Sequence, residues 1–304
     1  MTIALNSVNT NIGAQVALQS LNSTNSQLQA TQKRISTGLR VADATDDGAA
    51  YAVAQRVRSD VGALASANDQ LGSAKGLVGT AITALGGISD TVNKAKDLLT
   101  KIGSQLTDQD TRDGYVKQYK ALVIGVADKV DGSAINGQSL LGKTGVTPAA
   151  GATSLGTSVI GSETGSTVSI SGADSSGLAN TLAGLIGATF SRSGGVDTFT
   201  PNATAGADQT AAAGALSGTG YSTVLKTVAN QLSQAGADSN RLDSTITFNN
   251  AKIDSLNAGL GALVDTDLSK ESAKLQSLQI KQQLGTQALS LANQAPQSLL
   301  SLFK

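Results

Sequence analysis

Along most of this chain apolar residues recur at alternating spacings of four and three, the seam of a coiled coil. The first seam runs Ala14, Leu18, Leu21, Asn25, Leu28, Gln32, Ile35 and Leu39. It predicts a helix that stops near Ser36-Thr37-Gly38, where glycine supplies a left-handed cap. A longer seam follows through Val57, Val61, Leu64, Asn68, Leu71, Lys75, Val78, Ile82, Leu85, Ser89, Val92, Lys96 and Leu99, nine of the thirteen apolar. Gly86-Gly87 inside it lowers helix propensity by up to about 1 kcal/mol each relative to Ala, so a local bend is expected there. A third helix, over roughly 109–130, carries Tyr115, Tyr119, Leu122, Val126 and Val130 on one face.

Between Leu140 and Gly220 the pattern changes to Gly, Ser, Thr and Ala, with short alternating pieces at 166–171 and 196–200 that read as exposed strands. This predicts a small insert, mostly β and turns, with a disordered linker as the other reading. Helix then resumes along Leu225, Val228, Leu232, Ala235, Ser239, Leu242, Ile246, Asn249, Ile253, Leu256, Leu260, Leu263 and Asp267. A last helix passes through Leu268, Leu275, Leu278, Leu289, Ala292 and Leu299, and Pro296 should kink or break it. The expected fold is mainly α: long antiparallel coiled-coil helices from both chain ends form a rod, with a small β or irregular inserted domain.

Charge sharpens the picture at the two ends. No charged side chain precedes Lys33, and none lies between Gln282 and Phe303. The first 32 residues hold ten Asn or Gln and eight Ser or Thr, which would lose hydrogen bonds in hydrocarbon. A membrane-spanning helix wants about 20 predominantly apolar residues, so insertion is not expected, and no strongly apolar segment is seen elsewhere. No cleavable signal peptide is legible. With 22 basic and 22 acidic residues the net charge is zero, which gives no electrostatic case for nucleic acid. His and Cys are absent, which removes imidazole acid–base chemistry, thiol nucleophiles and the usual zinc sites. No enzyme site, cofactor or metal is expected.

Two local features invite sharper readings. Asp46-Asp47 resembles a carboxylate pair, yet Thr45 or Asp46 reads better as a helix N-cap, with Arg40 as a charge partner. Lys75 and Lys96 fall on an otherwise apolar seam and should extend their stems over it while keeping the ammonium wet.

The run Lys33-Arg-Ile-Ser-Thr-Gly-Leu-Arg40, followed by Asp46-Asp47-Gly-Ala-Ala-Tyr-Ala-Val-Ala54, resembles the N-terminal signature of bacterial flagellins. The stretch from Leu263 to Leu284 and the ending Ala292-Asn-Gln-Ala-Pro-Gln-Ser-Leu-Leu-Ser-Leu-Phe303 are similar to the flagellin C-terminus, most of all to compact alphaproteobacterial members. The resemblance implies a filament subunit with five segments. Residues 1–45 and 265–304 would form the inner coiled coil, 46–142 and 221–264 the helical rod, and 143–220 the variable outer domain. A hook–filament junction protein shares the N-terminal signature, but the C-terminal ending argues against it.

The same resemblance implies further expectations. Ala14, Leu18, Leu21, Leu28, Ile35, Leu275, Leu278, Leu289, Ala292, Leu299, Leu300 and Phe303 would make the assembly surface, with Gly38, Leu39, Arg40, Asp46 and Asp47 as the loop motif. Partners would be many copies of the chain, other flagellins, the flagellar export apparatus and its chaperone, and cap and hook-associated proteins. Export would be as an unfolded chain to the cell exterior. The stretch Asn93–Leu98 differs from the receptor-binding surface of flagellins that activate a host Toll-like receptor, and no acidic residue stands near Tyr119, so strong activation is not expected. The terminal helices, lacking cover in a lone subunit, would order on assembly, and polar interruptions at Asn25, Gln32, Asn68 and Ser89 would let subunits slide between registers.

Overall fold

The computed structural model describes residues 11–144, 156–193, 195–202, 204 and 206–301. In chain order they form α1 (Ile12–Thr37), α2 (Gly48–Ile102), α3 (Gln109–Asp131), β1 (Thr157–Ile160), β2 (Thr167–Ile170), α4 (Leu178–Gly184), β3 (Thr189–Ser193), β4 (Val196–Thr200), α5 (Ala207–Ser217), α6 (Gly220–Val264) and α7 (Leu268–Ser301). The chain divides into a terminal unit, Met1–Val61 with Asp254–Lys304, and a central unit, Gly62–Ile253. Among the described residues the fold is mainly α, with long helices α1 and α7 nearest the two chain ends and a small strand-containing middle.

Short polar side chains set the helix ends. Asn11 Oδ1 accepts from Ala14 N at 3.0 Å to start α1, and Gly38 ends it at φ +72° with its N–H on the Arg34 carbonyl. That left-handed conformation carries little penalty in glycine, because there is no Cβ to crowd the backbone. The cap of α2 is Asp47, which accepts from Ala49 and Ala50 at 3.1 and 3.0 Å. This corrects the expectation of Thr45 or Asp46, since only the residue directly before the first helical turn can reach those N–H groups. Asp267 caps α7 through Ser269 and Lys270, so it does not belong to the seam of α6, which ends at Val264.

In the central unit the buried seam of α2 is Leu64, Ala67, Leu71, Ala74, Val78, Ala81, Leu85, Ile88, Val92, Ala95, Leu99 and Ile102. Every second position is the one expected from sequence; the positions between them are shifted by one residue, mostly onto alanines. Asn68, Lys75, Ser89 and Lys96 therefore flank the seam and do not interrupt it. Lys75 reaches Asp243 at 2.5 Å, and Lys96 lies 5.6 Å from the centre of the Tyr221 ring. On α6 the buried Val228, Ala235, Leu242 and Asn249 are positions the periodicity marks, whereas the buried Val224, Asp238 and Val264 stand one residue off the expected Leu225, Ser239 and Leu263. α2 runs unbroken through Gly86-Gly87, where a Cβ on Gly87 would lie 3.0 Å from Lys129 Cε of α3. One stretch of α2 is long and apolar enough to cross a membrane by length and composition alone, contrary to the sequence expectation. Its Ala- and Leu-rich seam accounts for that composition, and this seam is buried in the central core.

Polar ties hold α2 and α6 at one alignment within the central unit. Asn249, 1% exposed, donates from Nδ2 to Asn68 Oδ1 and to the Gly161 carbonyl, both at 2.9 Å. Asn68 in turn donates to Asn250 Oδ1 at 2.8 Å. Inside the chain Asn68 fixes the alignment of the two helices, because a half-buried amide is satisfied in only one register.

The insert is richer than expected. β1–β2 and β3–β4 are antiparallel hairpins, and α4 and α5 are helices where strands and turns were anticipated. The alternating strand at 167–170 buries Val168 and Ile170, and these join Leu178, Leu182, Ile186 and Phe190 in one apolar core with α2, α3 and α6. Arg192 of β3 fastens the second hairpin to α3, donating to Asp131 at 2.9 Å, to Asp128 at 2.6 Å and, through Nη2, to Asp197 at 2.8 Å. The Arg192 guanidinium holds the Asp197 carboxyl below the usual carboxylate range.

Tyr119 is buried at the centre of this core, and its hydroxyl donates to the Leu182 carbonyl at 2.8 Å. That carbonyl also accepts from Leu185, so removing the hydroxyl deletes one bond without orphaning the acceptor. Tyr119→Phe should lower unfolding stability by about 1 kcal/mol. Denaturant unfolding followed by circular dichroism checks this; an unchanged midpoint would discount the bond.

Candidate functional site

The terminal unit is built on the pairing of α1 with α7. On α1 the stripe that faces inward is 14, 17, 21, 24, 28, 31 and 35, with 25, 33 and 34 half-buried beside it; on α7 the buried and half-buried positions are 271, 275, 278, 282, 285, 289 and 292. Both sets alternate by three and four, so each helix offers one face to an antiparallel neighbour. The helices come close because the seam is small: a Cβ on Gly285 would stand 3.3 Å from Leu21 Cδ1.

Most of the expected assembly residues lie on this pairing face. Ala14, Leu21, Leu28, Ile35, Leu275, Leu278, Leu289 and Ala292 are all there. Leu18 is not; it is 47% exposed at the flank, and its smaller neighbour Ala17 takes the seam position. Leu299 and Leu300 fall in α7, but their side chains, and Phe303 altogether, lie outside the described residues. Sequence reasoning missed Ala17, Thr24, Thr31, Glu271, Gln282 and Gly285. The same spacing rule, admitting small and polar residues, would have included them.

Three polar contacts cross the pair. Asn11 Nδ2 donates to the Ala292 carbonyl at 2.7 Å, and Gln282 Nε2 donates to Asn25 Oδ1 at 2.8 Å. Arg34 meets Glu271 at 3.3 Å beside Thr31, and Glu271 and Thr31 are both buried. Their spacing places residue pairs that sum to nearly the same number opposite one another, as an antiparallel seam requires.

Where α1 and α6 end, the loop motif joins two chain segments. Val264 accepts from Arg40 N at 2.7 Å and Val41 N at 3.3 Å, and Thr266 donates to the Gly38 carbonyl at 3.0 Å. The Arg40 guanidinium caps the Leu263 carbonyl, so a cation sits at the negative end of the α6 dipole. Leu39, Val41, Ala50, Ala54 and Val264 pack beneath as a small apolar cluster. Asp46 accepts from Ala42 N at 3.0 Å and pairs with Lys33 at 3.0 Å. Its partner is therefore Lys33, not Arg40, which is committed to the helix end. Lys33 also bonds Asp43, and this ammonium holds both carboxyls below their usual range.

The back of the helix pair also carries large apolar residues, set among uncharged polar ones. At 100° per residue, Ile280, Leu284 and Leu291 project from α7 opposite its seam, and Ile12 and Val16 do so from α1. They are 58%, 59%, 70%, 40% and 60% exposed. Of the large apolar residues exposed among the described residues, eight of thirteen belong to the terminal unit, although it is the smaller of the two. This back face carries no charge over the outer part of either helix.

Two predictions test this geometry. Replacing Glu271 alone by Leu should cost about 1.5–3 kcal/mol by stranding Arg34, whereas Arg34→Met with Glu271→Leu should recover most of it. Thermal unfolding of the two variants decides; equal losses would mean the pair is not coupled. A depressed carboxylate pKa contributes stability above the unfolded value, near pH 4, that is lost as pH falls through the folded one. Lys33→Gln should accordingly move the Asp43 and Asp46 titrations upward in pH, as followed by carboxyl-carbon NMR, and unmoved midpoints would refute the pairing.

Comparison with known proteins agrees with this arrangement. Residues 8–145 match the bacterial flagellin N-terminal helical region, and residues 220–303 match the bacterial flagellin C-terminal helical region. Flagellin FljK of Caulobacter vibrioides is 38% identical over 99% of this chain and 100% of its own length. The flagellin of Brucella melitensis is 34% identical over 98% of this chain and 99% of its own, and flagellin C of Rhizobium meliloti is 30% identical over 99% and 100%.

Proposed function

This chain belongs to the bacterial flagellin family, and we propose that its paired α1 and α7 helices are the surface through which copies of it associate. The chain is a structural subunit of the extracellular flagellar filament. One observation carries the assembly reading: the α1–α7 pair exposes large apolar residues on its back, where its outer turns carry no charge. Exposed large apolar residues grouped on a helix pair mark a face that is stabilised when it is covered. Burial is favourable by about 25 cal/mol for each Å² of apolar surface covered. The missing charges mean that covering it leaves no ion to desolvate and sets no like charges against one another.

We assign residues 1–45 and 265–304 to the inner coiled coil of the filament, 46–142 and 221–264 to its helical body, and 143–220 to its variable part. Leu299, Leu300 and Phe303 extend the assembly surface. Export proceeds as an unfolded chain through the flagellar export apparatus with a chaperone, and the growing end is met by cap and hook-associated proteins. The zero net charge, the absence of cysteine and the uncharged ends all suit passage through a narrow channel. The mechanical work follows from repetition of one contact: stiffness is a property of the polymer, and no chemical step is required.

Seeded growth followed by electron microscopy tests this. The purified chain should elongate on filament seeds, while a truncation lacking Gln297–Lys304 should stay monomeric at the same concentration. Normal filaments from the truncated chain would overturn the role of the terminal helices.

A further inference from the structure

α7 contains a proline five residues before its last described residue, yet it remains helical from Leu268 to Ser301, so of the kink or break expected at Pro296 the break does not occur. A proline inside a helix has no N–H to give the carbonyl four residues earlier. Here that carbonyl is Ala292, and it accepts instead from Asn11 Nδ2 at 2.7 Å. The other end of the same amide is also engaged: Asn11 Oδ1 accepts from Ala14 N at 3.0 Å and caps α1. Turning the amide over would break both bonds, so the two contacts define its orientation together. The chain lies close here, since a Cβ on Gly13 would meet Asn11 Oδ1 at 3.4 Å and Ala292 Cβ at 4.0 Å.

We propose that Asn11 is a positioning residue for filament assembly, a clasp that makes the α7 segment beyond Pro296 helical only when α1 is paired in one register. Pro296 creates the vacancy at Ala292; Asn11 fills it. In any other register Asn11 would meet a carbonyl already bonded within its own helix, and Ala292 would lack a donor. The clasp thus converts correct pairing of the two chain ends into completion of the C-terminal helix, the part that the truncation above removes. An alanine at 296 would dispense with the clasp and leave the end of α7 helical in any register.

The proposal rests on the assembly reading, and the test keeps the two apart. Four full-length proteins are compared in seeded elongation: the parent, Asn11→Ser, Pro296→Ala and the double variant. Serine caps as well as asparagine but is one atom shorter, so a hydroxyl that accepts from Ala14 N cannot also reach the Ala292 carbonyl. Asn11→Ser should raise the critical concentration about fivefold. Pro296→Ala should stay within about twofold of the parent, and the double variant should match Pro296→Ala, because the restored N–H satisfies Ala292. Elongation of Asn11→Ser at the parental critical concentration would overturn the clasp, as would a double variant as impaired as Asn11→Ser alone. Amide-exchange protection across residues 292–301 provides a readout that does not depend on growth. It should fall in Asn11→Ser and return in the double variant; equal protection in all four proteins would overturn the clasp, whereas failure of the parent to elongate would count against the assembly reading.

Discussion

A seam in which leucine and isoleucine alternate with alanine, threonine and glycine brings helices close, but its small positions do little to specify which residue stands opposite which. Large side chains set register by shape, since each knob fits one hole; small ones leave a sequence nearly self-similar after a shift of one heptad. The polar ties across the seams resolve that degeneracy. A half-buried amide or carboxylate left without its partner costs about 1–3 kcal/mol, comparable with the packing difference between neighbouring registers. In the terminal unit the ties are Asn11 to Ala292, Asn25 to Gln282 and Arg34 to Glu271. In the central unit they are the Asn68 and Asn249 amides, joined to each other, to Asn250 and to the Gly161 carbonyl. The rest of each unit can be built of thin side chains because these contacts set its alignment.

The same thinness explains what could be read from the sequence. Helix periodicity, the glycine cap at Gly38 and the strand at 196–200 were legible because each rests on local chemistry. The phase of the long α2 seam was legible only at alternate positions. Leu64, Leu71, Val78, Leu85, Val92 and Leu99 belong to both readings, while the intervening choice lay between 67, 74, 81, 88, 95 and 102 and their successors. Four of the six correct residues are alanines, whose small apolar signal is easily passed over beside Ile82. The Arg34–Glu271 contact had no local signature at all, because its partners are 237 residues apart. The helices of the insert were missed for a related reason. In a stretch rich in Gly, Ser, Thr and Ala, only burial of Leu178, Leu182 and Ile186 against α3 and its neighbours selects helix.

The loop motif that carries the family resemblance has a definite physical task. α6 ends at Val264, and its last carbonyls need donors that no later residue of that helix can supply. Arg40 and Val41 provide them through two backbone N–H groups and one guanidinium, while Asp46 and Asp47 satisfy the N–H groups of the returning turn and of α2. Motif residues that look like a charged site in sequence are thus consumed in closing helix ends. Lys33, with Asp43 and Asp46 around it, is part of the same closure.

Charge in the terminal unit is distributed accordingly. Lys33, Arg34, Asp43, Asp46 and Glu271 gather where α1 ends and α7 begins, and the outer turns of both helices have none. Ions are costly to bury, several kcal/mol each even after relaxation, so they belong where the chain's own fold already pairs them. Amides and hydroxyls are cheaper to move between water and protein, provided a partner waits at the other side. Asn, Gln, Ser and Thr therefore keep an apolar-backed helix pair compatible with water before assembly, and still allow its outer turns to be buried against further copies. The uncharged ends are a compromise between two environments that the same surface must occupy in turn.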